Sequence, residues 1–197
     1  MKRFLISCIL LVAFSAPTAR AAFITSGEID PPYPSTWTDS TTGYVGKTTI
    51  GELTVDGDSD LLSRTCFLGY GSSAAGTVTV DGAGSTWTNI YNIYVGYSGN
   101  GTLNIINGGT VSNTEDFTFI YIGANSGSTG TVTVDGSDSN LTNNDSIYLG
   151  YYGSGTLNIN NGGTVMVTGA TYVGSIPGST GAINFGTNGG TLTTESL

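Results

Sequence analysis

An aromatic residue, an aliphatic residue and a glycine recur as Tyr44-Val45-Gly46, Phe67-Leu68-Gly69, Tyr94-Val95-Gly96, Tyr121-Ile122-Gly123, Tyr148-Leu149-Gly150 and Tyr172-Val173-Gly174. The glycines stand 23, 27, 27, 27 and 24 residues apart. A unit this short cannot bury a core by itself, so copies at this spacing must stack or radiate. A second run follows each mark, with alternating apolar positions at Leu53/Val55, Val78/Val80, Leu103/Ile105, Val132/Val134, Leu157/Ile159 and Ile183/Phe185. A third run carries one anchor, read as Leu62, Trp87, Val111, Leu141, Val165 and Leu192. Period-two alternation in short runs bounded by Gly, Asn and Asp predicts half-buried strands joined by tight turns.

Three strands per unit predict one coil of a parallel β-helix, each strand pairing with its equivalent one coil away. A propeller blade needs four strands and a longer unit. The expectation is an all-β solenoid of about six three-strand coils, covering residues 35–197. Alternation sends Val45, Leu68, Val95, Ile122, Leu149 and Val173 inward, with Ile93, Ile120 and Ile147 two positions earlier. Cys66 stands where those isoleucines stand, which predicts an inert buried thiol. The six intervening aromatics, Tyr44, Phe67, Tyr94, Tyr121, Tyr148 and Tyr172, are expected to face outward as a ladder. Asn107 and Asn161 occupy NGG turns that tolerate positive φ. Asn104 and Asn158 point away from the core.

The two ends read differently from the middle. Lys2 and Arg3, the apolar stretch Phe4–Ala16 and Ala19-Arg20-Ala21 have the order of a secretory signal peptide, predicted over residues 1–21. Its removal leaves Cys66 as the one thiol, so no internal disulfide is expected. It also leaves Lys47 and Arg64 against 14 acidic residues, a balance without a footprint for nucleic acid. After cleavage no segment is long and apolar enough for a membrane span. Residues 22–34, with Glu28, Asp30, Pro31, Pro32 and Pro34, read as an N-terminal cap, since prolines and charges block edge-to-edge pairing. The last coil carries no such signals and is expected to self-associate through its open face.

The units GTVTVDGAGSTWTN, IYVGYSGNGTLNIINGGTV and YIGANSGSTGTVTVDG resemble the type V secretion (autotransporter)/PEP-CTERM-associated repeat of bacterial surface proteins. The resemblance spans about residues 35–192. It implies a right-handed β-helix of passenger type, exported to the outer surface of a bacterium, with no transferable catalytic residue. The final Thr194-Glu195-Ser196-Leu197 departs from the sorting tail of that family, and no translocator barrel is read in this sequence.

Chemistry is sparse. The chain has no histidine, which removes a Ser-His-Asp triad or a histidine zinc site. Asp56, Asp58 and Asp60 alternate in DGDSDLLSR and form a calcium candidate, although the loop lacks the EF-hand glycine and final glutamate. Asp81 and Asp135 are the carboxylates most like a glycosidase pair, yet they recur as repeat elements in VDG turns. The expectation is a non-catalytic protein without a cofactor, acting as a structural or adhesive surface rod. Its partners would be extracellular polysaccharide or other surface proteins. The alternative is a carbohydrate-binding module using the aromatic ladder as a strip.

Overall fold

The structure, a computed structural model, describes residues 22–197; the expected signal peptide lies outside them. The chain opens with β1 (Ala22–Gly27), β2 (Ile29–Asp30) and a single 3-10 turn at Pro34–Thr36. It then winds six coils of three strands. The coils comprise β3 (Thr42–Val45), β4 (Ile50–Asp56) and β5 (Asp60–Ser63); β6 (Thr65–Leu68), β7 (Ala75–Asp81) and β8 (Thr86–Asn89); and β9 (Ile93–Val95), β10 (Asn100–Ile106) and β11 (Thr110–Asn113). The remaining three are β12 (Ile120–Ile122), β13 (Thr129–Asp135) and β14 (Asn140–Asn143); β15 (Ile147–Leu149), β16 (Ser154–Asn160) and β17 (Thr164–Val167); and β18 (Thr171–Val173), β19 (Thr180–Phe185) and β20 (Thr191–Thr193). Equivalent strands pair in parallel, giving three sheets that run the length of a β-solenoid. The expected all-β solenoid of about six coils is the fold.

Register is the organising fact. Tyr121 pairs with Tyr94 and Tyr148, Leu103 with Val78 and Val132, and Val111 with Trp87 and Leu141. Each coil therefore places the same kind of side chain in the same column, and the inward columns are fully buried in the middle coils. Burying a Val, Leu or Ile side chain contributes ~1.5–3 kcal/mol, so the columns are the main source of stability. The register glycines are needed for a steric reason. Gly96 has φ 76°, and a Cβ there would fall 2.2 Å from the Thr129 carbonyl oxygen of the next coil. Asn107 and Asn161 adopt the expected positive φ, 54° and 49°.

Four positions differ from the sequence reading. The third-run anchor of the first coil is Leu61, buried and paired with Trp87; Leu62 faces outward, half-buried. Both residues are leucine, and a one-residue slip exchanges the faces of a strand. In the last coil Val173 is 40% and Phe185 54% exposed, whereas Ile183 and Leu192 are partly buried. Their columns are closed from one side only.

The third sheet hides a polar column inside the core. Trp87 Nε1 donates to Ser63 Oγ at 2.9 Å, and Ser63 Oγ donates to Asn89 Oδ1 at 2.7 Å. Asn89 Nδ2 donates onward to Asn113 Oδ1 at 3.1 Å. Asn143 closes the column by donating to the carbonyl oxygens of Asp145 and Ser146 at 2.7 and 3.1 Å. Every amide is paired, which is what allows it to be buried.

At the N-terminal end, β1 lies antiparallel on β4 and β2 antiparallel on β3. Two sheet edges are thus covered by reversed strands drawn from residues 22–34. Glu28 pins this layer. Its carboxylate accepts the backbone N–H groups of Thr48 and Thr49 at 2.7 and 2.8 Å.

Candidate functional site

The aromatic column is built by the three-residue strands of one sheet, whose middle residue points outward. The six rings stack in sequence with centroids 5.2, 4.7, 5.0, 5.1 and 4.8 Å apart and planes within 3–11° of parallel. Strand spacing alone sets this distance. Parallel rings this close are offset-stacked, so Phe67, Tyr94, Tyr121 and Tyr148 each have an aromatic neighbour on both faces. At the first end Lys47 Nζ sits 4.6 Å from the Tyr44 centroid and bonds Asp30 Oδ2 at 2.6 Å. That hydrogen bond holds the ammonium pKa above its ordinary value. Tyr172 at the other end has one stacked neighbour and is 42% exposed.

A second, shorter set of aromatics escaped the sequence reading. Tyr70, Tyr97 and Tyr151 follow their marks by three residues and turn edge-on to the ladder. Tyr70 meets Tyr44 and Phe67 at 5.2 and 5.3 Å, and Tyr97 meets Phe67 and Tyr94 at 5.1 and 5.3 Å. Tyr151 does the same against Tyr121 and Tyr148, while Ala124 occupies that position in the coil between. The constant offset of three was the available signal. On the other flank Phe119 packs edge-on to Tyr121 and Tyr148. Burial among these rings pushes the Tyr121 phenol up to about 12. The ladder is a packed outer core, with each edge-to-face or stacked pair contributing ~0.5–1.5 kcal/mol.

Asp56, Asp58 and Asp60 are not brought together: among the described residues no group of three metal-ligating side chains forms. Asp58 takes φ 65° and leans over Gly84, where an added Cβ would lie 2.2 Å from its Oδ1. Asp60 accepts the Thr86 hydroxyl at 2.6 Å in the next coil. The turn sends alternate carboxylates apart, a consequence of its left-handed residue. Asp81 and Asp135 lie in one column with Ile106 between them. Each accepts an asparagine amide, Asn107 at 2.7 Å and Asn161 at 2.8 Å, and so ties neighbouring NGG and VDG turns together.

Cys66 is fully buried, and desolvation pushes its thiol up to about 12. A thiol held protonated in an apolar column is a poor nucleophile. A recess of about 230 Å³ lies at the N-terminal end, lined by apolar and small residues that include Phe23, Ile29, Pro32 and Tyr33. Its polar side chains are the hydroxyls of Thr25, Tyr33 and Ser35, with no carboxylate, amine or thiol among the lining residues. Among the described residues no helix is long and apolar enough to cross a membrane. No protein-family model matches the chain, and neither a curated protein nor a solved structure does.

Proposed function

We propose that this chain is a non-catalytic, exported β-solenoid rod with a structural or adhesive role at a bacterial surface or in its matrix. The observation that carries the reading is the state of the ladder: its internal rings spend both faces on one another. Aromatics packed in this way stiffen a rod, and the internal rings leave no face free for a sugar to stack on. The scattered surface carboxylates and the absent histidine fit a presenting surface better than a reaction centre. The passenger-type repeats give the reading its setting, and surface polysaccharide or other surface proteins are its natural partners. Self-association through the outer face of the last coil belongs to the same proposal.

The second reading, a carbohydrate-binding strip, is favoured by one ring only. Tyr172 keeps a free face at the open end of the ladder. Tyr121→Leu separates the two. As a rod the variant loses stability and keeps its retention on immobilised exopolysaccharide or cells; as a strip it loses retention while its melting temperature barely moves. Loss of retention without loss of stability would overturn the rod reading.

A further inference from the structure

The sheet built from β4, β7, β10, β13, β16 and β19 has an outward face that the aromatic ladder does not share. Its strands are the longest in the molecule, and their register carries no offset from β7 to β16. The third residue of each forms a straight row, Thr77, Thr102, Thr131 and Thr156. Two residues on, a second row reads Thr79, Asn104, Thr133 and Asn158. All eight are half-buried and none carries charge. Hydroxyls of the first row make no hydrogen bond to another described residue. Side chains of the second bond along their own row, Asn104 donating to Thr79 at 3.5 Å, Asn158 to Thr133 at 3.4 Å and Asn184 of β19 to Asn158 at 2.9 Å.

The rows form a two-dimensional lattice of fixed dimensions. Along the rod the repeat is the strand spacing of ~4.8 Å; across it, two residues of parallel strand give ~6.6 Å. The offset-free register from β7 to β16 keeps the rows aligned, and the stacked rings and buried amides of the other two sheets form ladders in the same direction. Dissolved small ligands are taken into concave sites where polar groups converge. The outward side chains of these parallel strands stand side by side and do not converge. A neutral, rigid and periodic face is complementary to a periodic solid.

We propose that this face binds ice. The two repeats lie close to the separations of water oxygens on the prism faces of hexagonal ice. Threonine suits such a lattice because its hydroxyl takes the place of a surface water while its methyl fills the hollow beside it. The asparagine amides supply further donors and acceptors in the same plane. Glu52 of β4, paired with Thr77, ends the first row, and Asp81 and Asp135, with their bonded asparagines, lie at the strand ends, so charge borders the grid of β7 to β16. Because the grid is already rigid, little side-chain or loop ordering opposes adsorption. This proposal goes beyond the rod reading and does not depend on how the chain is attached to a cell.

Ice-affinity partition tests it: an ice hemisphere is grown slowly from a dilute solution of the purified protein. The expected result is enrichment in the ice over an inert globular control, with faceting of single crystals. Thr131→Tyr and Thr102→Tyr place a ring in the middle of the grid and should each abolish enrichment. Thr142→Tyr, outward on the third sheet, should leave it intact. Protection of Cys66 from thiol reagents, measured on every variant, shows that the solenoid is folded. Exclusion of the wild-type protein from ice would overturn the proposal, as would enrichment unaffected by both grid variants in folded protein. Retention on crystalline cellulose or chitin with exclusion from ice would overturn it in favour of a polysaccharide surface.

Discussion

Asn113 donates its side-chain amide to Asn143 Oδ1 across 2.9 Å in the interior of the solenoid, beyond the reach of water. The two residues are 30 apart in sequence and adjacent in the column. Replacing Asn113 by Leu breaks two links at once and strands the Asn89 amide and the Asn143 oxygen. A buried polar group left without a partner costs ~1–3 kcal/mol, so the single substitution should cost about 2–5 kcal/mol in denaturant unfolding. Replacing Asn89, Asn113 and Asn143 together by Val should cost less than three times that, since the two amide–amide links go without stranding either partner, while the Ser63 hydroxyl and the Asp145 and Ser146 carbonyls lose theirs. Val167 already occupies this column in the fifth coil, buried and without an amide. Strict additivity of the three changes would refute the coupling.

Tyr121 links stability to alkaline pH. Its folded pKa, about 12, lies above the ordinary phenol value of 10 because burial disfavours the phenolate. Stability from this group is fully present below pH 10 and is lost as pH rises through 12. Absorbance titration of the phenolates should show a late component that disappears in Tyr121→Phe. A titration in which every tyrosine ionises near 10 without unfolding would contradict this.

Glu28 acts at the opposite end of the scale. Hydrogen bonds from the Thr48 and Thr49 backbone amides lower its pKa from 4.5 to about 2. A depressed carboxyl pKa stabilises the fold above 4.5, and that contribution is lost as pH falls through 2. Amide exchange in β1 and in the facing edge of β4 should quicken across this window. Glu28→Gln should quicken it at neutral pH while leaving β10 unchanged; unaltered exchange in β1 would rule out the pinning role.

The Cys66 thiol should react with a disulfide reagent at the rate of unfolding and no faster, because it is fully buried and held protonated. Reaction within seconds in native buffer would show an opening of the second coil that the packing does not anticipate. Cys66→Ile, which introduces the side chain of its column neighbour Ile93, adds volume to a filled column and should cost ~1–3 kcal/mol.

The exposed Val173 and Phe185 should make the purified chain associate with rising concentration. Sedimentation velocity across a concentration series would show it, and Phe185→Lys should return the distribution towards monomer. A single concentration-independent species would count against association through this coil.

What could be read in advance follows from periodicity. Columns such as Val78–Leu103–Val132 were legible because alternation of period two and the register glycines agree. Leu61 and Leu62 could not be ordered, since neither differs from the other chemically and the choice rests on tertiary register. Asparagine is common in turns, so its presence at a strand end carries no signal of burial by itself. Only stacking reveals that Asn89, Asn113 and Asn143 face inward. Antiparallel β1 and β2 lie outside the repeat, so no period announced them. The aromatic ladder was legible, but its packing was not: a row of outward rings in sequence does not say whether their faces are free.

The register that runs from Gly96 to Gly123 makes one coil a 27-residue module whose strands meet both neighbouring coils in the same alignment. Duplicating such a segment in the gene would lengthen the rod by one strand spacing and ask nothing new of any interior side chain. Length is therefore free to drift under selection while cross-section is not. A lineage could adjust how far its surface reaches by recombination between near-identical repeats, without first solving a new folding problem.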